Sequence, residues 1–446
     1  MDRLDAGGEK GSWKMRICLK GARIVDPSQG LDNFCDLLIE AGTVAALAPN
    51  LSVDGAEVID LSGKVIVPGF VDLHVHLREP GFPEKETIAT GCAAAVAGGV
   101  TSVFCMPNTE PPIDSAAVSD LIKARAAAAG LARVYPVGAL TRRRSGAAAA
   151  DFDSMLASGV RAFSDDGSPV ADSRLFFEIL KKLAGHEEAL VISHSEDLSL
   201  AGGGVVHEGI WSKRHGLPAI PAEAETVAVA RDIILAGAAG ARLHLAHLST
   251  AGSVELVAWA KQKGLAVTAE VTPHHLLLDE SALERCGTLA KVNPPLRGTA
   301  DRQALLQGLK TGLIDIIATD HAPHQAAEKA QSLLDAPFGI TGLETAVPLL
   351  LTELVRPGLI TLSELVDAYS CRPARLLNLN AGSLRPGAPA DLAVLDLEAT
   401  AVVQPEKFYS RAGYSPYAGW KLHGLPVMTM VGGVVKMKAG QVIRPA

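Results

Sequence analysis

Phe70-Val71-Asp72-Leu73-His74-Val75-His76-Leu77 is a short apolar run that ends in two histidines one residue apart. In an extended strand, side chains alternate between faces, so His74 and His76 point to the same side. Two same-side imidazoles can hold one metal ion. Alone, the pair is equally compatible with hydrogen-bonded core histidines.

The same texture recurs along the chain. Seven further apolar runs follow: 102–108 (SVFCMPN), 134–140 (VYPVGAL), 160–167 (VRAFSDDG), 189–197 (ALVISHSED), 242–250 (RLHLAHLST), 266–276 (AVTAEVTPHHL) and 314–324 (IDIIATDHAPH). Between them lie stretches of helical period, such as 86–99 (ETIATGCAAAVAGG), 173–185 (SRLFFEILKKLAG) and 253–264 (SVELVAWAKQKG). Strands buried on both faces read as continuous apolar runs, and alternation with helices implies parallel pairing. About eight such units predict a (β/α)8 barrel, with an open doubly wound sheet as the alternative. The ends of the chain differ. Residues 16–47, 390–403 and 426–443 are turn-rich, with short alternating apolar stretches. The organisation expected is an α/β barrel over 68–379 and a small β-sandwich built jointly from 15–67 and 380–446. Residues 1–14 are expected to be a loose leader, with Met15 as an alternative start.

Composition narrows the function classes. Hydrophobic residues make up 48% and charged residues 20% of the 446 residues, enough for a large core. The net charge of −8 gives no positive footprint for a nucleic acid. The short basic run Arg142-Arg143-Arg144 reads as a solvated loop end. The six cysteines form no CxxC pair, so neither a disulfide framework nor a cysteine zinc site is expected. With no signal core and no apolar run fit to span a bilayer, a cytoplasmic, reduced protein without a membrane partner is expected.

The polar residues at the ends of the runs carry the chemistry. The fourth run ends in Asp165-Asp166, the fifth carries His194, the sixth His244 and His247, and the eighth Asp320-His321 and His324. Any one of these could be a turn or a helix cap. In a barrel, however, the C-terminal ends of the strands converge on one mouth. Burying several imidazoles and carboxylates together without a cation would cost several kcal/mol, on the order of what an unpaired buried polar group costs. Nitrogen and oxygen donors without thiolate suit Zn2+, with Mn2+ or Co2+ as substitutes. The ligand set exceeds one tetrahedral shell, so two ions are plausible. Spacing alone does not separate Asp165 from Asp166.

In order, PGFVDLHVHLREPG, MPNT, AFSDDGSPV, SHSED, HLAHLST, TPHHL, KVNPPLR, IATDHAPH and FGITGLETA resemble the motifs of the dihydroorotases of the long bacterial type, within the amidohydrolase superfamily. The resemblance runs from about Gly21 to the end of the chain. It implies the zinc-dependent, reversible cyclisation of N-carbamoyl-L-aspartate to dihydroorotate in pyrimidine synthesis. It also implies His74, His76 and Asp320 around one ion, His194 and His247 around the second, and Asp166 as the bridge. By that pattern His247 is the ligand and His244 packs the strand. Asp320 would also carry the proton between the nucleophile and the leaving ring nitrogen. Arg78, Asn108, Asn293 and His324 would bind substrate, with Arg78 clasping its carboxylate, and 325–336 would form a mobile loop over the mouth. His274 and His275 receive no role. A homodimer, or a complex with aspartate transcarbamoylase, is the partnership implied.

Two other readings compete. A hydantoinase, dihydropyrimidinase or allantoinase would use the same chemistry on another ring. The hydantoinase type bridges its ions with a carboxylated lysine, and 162–167 contains no lysine. A non-catalytic scaffold for the transcarbamoylase would be expected to have lost ligand positions, and here each one is filled.

Overall fold

The computed structural model describes residues 16–444, so the expected leader at 1–14 lies outside the described residues. The start and end of the chain share one nine-stranded sheet. Arg16–Asp26 pairs antiparallel with Leu31–Glu40 and parallel with Glu57–Asp60 and Val65–Pro68. Val65–Pro68 then pairs antiparallel with Leu392–Val402, which joins the first segment to the last across more than three hundred residues. Lys421–Val431, Val434–Lys438 and Gln441–Val442 continue the sheet to one edge. The sheet encloses a core of its own, in which Leu19, Ile24, Leu37 and Ile39 from the start pack with Leu392, Val394, Met428 and Met430 from the end.

Eight parallel barrel strands lie between these segments: β1 (Phe70–Val75), β2 (Val100–Cys105), β3 (Arg133–Pro136), β4 (Ala162–Phe163), β5 (Leu190–Ser193), β6 (Leu243–Leu245), β7 (Val267–Val271) and β8 (Ile316–Ile317). β1 to β3 form one ladder and β4 to β8 another. Parallel bridges between Gly138 and Phe163 and between Val75 and His321 join the two ladders at both seams. Helices follow the strands. Ser173–Ala184 is representative: Asp172 caps it by accepting the N–H groups of Arg174 and Leu175, and Phe176, Ile179, Leu180 and Leu183 bury one face. Among the described residues, no helix is long and apolar enough to cross a membrane. All six cysteines are free.

Alternation sorts the strand residues. Phe104, Ala162, Leu190, Ile192, Ile316 and Ala318 fill the barrel interior, while Val103, Val191, Leu243, Leu245, Ala269 and Val271 pack outward against helices. β1 departs from this pattern. Val71 and Leu73 point inward but Val75 packs outward, and the β1–β2 register slips between Asp72 and Val75. The slip turns His74 and His76 into the interior, where strict alternation from Leu73 would have aimed them at the helices.

Candidate metal centre and active site

The interior positions at the C-terminal strand ends meet in one place. His74 Nε2 lies 3.3 Å from Asp166 Oδ1 and 3.6 Å from Asp320 Oδ1. His76 Nε2 lies 2.9 Å from Asp320 Oδ1 and 3.5 Å from Asp166 Oδ2. His194 Nδ1 and His247 Nε2 are 2.9 Å apart, each 3.6 Å from Asp166 Oδ1. Two potential ligand groups result, His74–His76–Asp320 and His74–Asp166–His247. Asp166 turns one oxygen toward His74, His194 and His247 and the other toward His76. Asp165 faces away, accepting the N–H groups of Leu140 and Thr141 and the Thr141 hydroxyl.

The donor set fits a cation. His74 Nε2 and Asp166 Oδ1 are buried without a hydrogen-bond partner, a costly arrangement unless something else satisfies them. Burial opposes a proton on His74, but Asp166 and Glu270 outweigh it and push the imidazole well up. His194 is likewise raised to about 10 against burial, by Asp166 and Glu196. Surroundings that draw positive charge onto imidazoles suit a metal ion in its place. Asp320 and His247 also adopt left-handed backbone conformations, at φ 46° and 33°. Such conformations cost about 1–3 kcal/mol each and persist only where neighbours hold them.

A cavity of about 320 Å³ opens over this cluster and is also lined by Arg78, Asn108, Asn293 and His324. The Arg78 guanidinium contacts the Pro323 carbonyl at 3.1 Å and the His324 ring at 3.3 Å, with no carboxylate among these partners. Burial, together with Arg78 and Lys85, holds His324 neutral by pushing it down to about 2, and its Nε2 donates to the Phe338 carbonyl at 2.8 Å. Asn108 Oδ1 is 2.9 Å from His76 Nδ1, so the amide nitrogen is the group left for a ligand. Asn293 Nδ2 donates to Glu196 at 3.1 Å, which leaves its oxygen.

Several residues escaped the sequence reading. Glu270 sits inside the barrel between outward Ala269 and Val271, 2.7 Å from His74 Nδ1; strand alternation over 267–271 was signal enough to find it. Arg144 corrects the view of the basic run as a solvated loop end. Arg142 and Arg143 are exposed, but Arg144 turns inward and donates to the backbone carbonyl of Asp166 and to Ser168 Oγ. The segment 325–336 contains a short helix, Ala326–Lys329, and is pegged by two buried lysines. Lys329 Nζ donates to the carbonyls of Lys291, Pro337 and Gly339, and Lys291 Nζ to those of Leu333 and Ala336. Gly339 is required there: a Cβ would lie 2.4 Å from the Ala322 carbonyl oxygen. His244 is buried between Thr268 and Glu270, and His275 between Thr272 and the Pro294 carbonyl.

A barrel with histidines and aspartates gathered at its mouth is the architecture of the amidohydrolases, and residues 223–436 match the model of the amidohydrolase family. L-hydantoinase (dihydropyrimidinase) from Arthrobacter aurescens is similar in structure, with a TM-score of 0.86, 28% identity, and coverage of 96% of this chain and 97% of that one. The dihydropyrimidinase of Brevibacillus agri is similar with a TM-score of 0.82, 25% identity and 96% coverage of each chain. Within that class, residues 63–253 match the dihydro-orotase-like model. The dihydroorotase of Pelotomaculum thermopropionicum is 48% identical over 424 residues, 95% of this chain and 99% of that protein. That of Bacillus cytotoxicus is 48% identical over 421 residues, 94% and 98% of the two. The chain belongs to the dihydroorotase family.

Proposed function

We propose that the chain catalyses the reversible, zinc-dependent cyclisation of N-carbamoyl-L-aspartate to dihydroorotate in pyrimidine synthesis. His74, His76 and Asp320 would hold one ion, His194 and His247 a second, and Asp166 would serve both. The observation that carries this reading is the placement of Asp166, whose two oxygens face different imidazoles. The ions would activate water and polarise the ring carbonyl. Arg78 binds the substrate carboxylate, a group its present contacts leave it free to take. Asn108 and Asn293 orient the ring amides, and neutral His324, whose Nε2 N–H is given to the Phe338 carbonyl, meets the substrate as an acceptor rather than as a second charge. In the hydrolytic direction Asp320 accepts the proton of the nucleophile and delivers it to the leaving ring nitrogen; ring closure runs the same transfers in reverse. Residues 68–379 form the catalytic unit, with 15–67 and 380–446 as its accessory domain. The working state is a cytoplasmic homodimer, alone or with aspartate transcarbamoylase.

The test is elemental analysis coupled to side-by-side assays on dihydroorotate, hydantoin and allantoin, before and after chelation. Two zinc ions per chain and a preference for dihydroorotate that chelation abolishes and zinc restores are expected. Preference for hydantoin would move the chain to the neighbouring activity. A metal-free, inert chain would make it a scaffold.

A further inference from the structure

Glu270 is fully buried and contacts both halves of the cluster. Its Oε1 lies 2.7 Å from His74 Nδ1 and also accepts the backbone N–H of His247 at 3.2 Å. Its Oε2 lies 3.0 Å from His244 Nε2, and His244 Nδ1 lies 2.8 Å from Thr268 Oγ1. The first contact takes the Nδ1 N–H of His74 and turns Nε2, the nitrogen a cation would claim, toward Asp166 and Asp320. The second braces His247 in its left-handed conformation, with φ 33°, which a non-glycine residue holds only against a local cost. We propose that Glu270 is a positioning residue that ties the two metal subsites together, with His244 and Thr268 as its buttress. This rests on the two-ion reading above. His74 is the histidine common to both potential ligand groups, so a group that fixes His74 and the His247 backbone at once sets the spacing of both subsites. His244 thereby acquires a role beyond packing. It holds the second oxygen of Glu270, so the carboxylate cannot rotate away from His74.

The test uses Glu270→Gln, which keeps shape and an acceptor oxygen but removes the charge. Metal-stripped wild type and variant are titrated with Zn2+ against a chromophoric chelator, and the visible spectra of the Co2+-loaded forms are compared. Carboxylates behind ligating histidines change metal affinity by about 10–100-fold. The expected result is a loss of roughly that size at both subsites together, with a shifted Co2+ spectrum. His244→Asn, which loosens Glu270 without removing a proposed ligand, should weaken both subsites together by a smaller factor, and it serves if the first variant does not fold. Two ions of unchanged affinity and an unchanged spectrum in the variants, or a loss confined to one subsite, overturn the coupling and leave the two-ion reading intact. A wild type that binds fewer than two ions overturns both.

Discussion

Lys329→Met tests what holds the wall of the substrate cavity. The lysine ammonium bonds three carbonyls, of Lys291, Pro337 and Gly339, at 3.2, 3.0 and 2.9 Å, and Pro337–Gly339 lines the cavity. Methionine fills a similar volume but donates nothing. The Lys291 carbonyl keeps the Gly339 N–H at 2.9 Å, so the carbonyls of Pro337 and Gly339 are left without a donor; at about 1 kcal/mol or more each, they give about 2 kcal/mol in favour of an opened loop. That shifts the open–closed balance by about 30-fold. The charge itself opposes burial, since desolvation and Lys291 push Lys329 down to about 7; its removal therefore offsets part of the loss in global stability. The expected phenotype is local: KM for dihydroorotate rises at least about tenfold because the binding-competent wall is less populated, kcat changes only a few-fold, and Tm stays near wild type. Hydrogen exchange at 325–339 should accelerate. A variant with KM within about twofold of wild type and unchanged exchange across 325–339 would refute the reasoning, whatever its Tm.

Asp320→Asn should retain the fold and lose about 10²–10⁴-fold in turnover, as expected for removal of a proton carrier; near-normal turnover would take Asp320 out of the mechanism. Arg78→Lys removes a bidentate clasp and should lower kcat/KM for dihydroorotate by about 2 kcal/mol, roughly 30-fold. It should matter little for a cyclic amide without a carboxylate, and equal losses on both substrates would argue against Arg78 as the carboxylate site. Glu344 accepts the N–H groups of Tyr409 and Ser410, and burial raises it from 4.5 to about 7. The native state therefore keeps a proton that the unfolded chain releases, and this contribution is full below pH 4.5 and lost as pH rises through about 7. Glu344→Gln should match wild type below pH 4.5 and exceed it at pH 8 by up to about 3 kcal/mol. Melting curves that shift equally at both pH values would rule this out.

The sequence by itself determined the alternation of strands and helices, because apolar runs buried on both faces and amphipathic helices are local patterns. It also placed His194 and Asp320 inward, since each continues the alternation of interior residues such as Ile192 and Ala318. Three matters rested on tertiary structure. The turn of His74 and His76 into the interior depends on a register slip against β2, which exists only when the two strands pair. The separation of Asp166 from Asp165 depends on the β3–β4 junction, where backbone N–H groups of Leu140 and Thr141 claim Asp165. The inward turn of Arg144 and the burial of Lys329 depend on carbonyls offered by segments distant in sequence or folded back on the loop. Local sequence encodes which face a side chain takes along one strand. Which partner waits there is decided by neighbours that only the closed barrel brings within hydrogen-bonding reach.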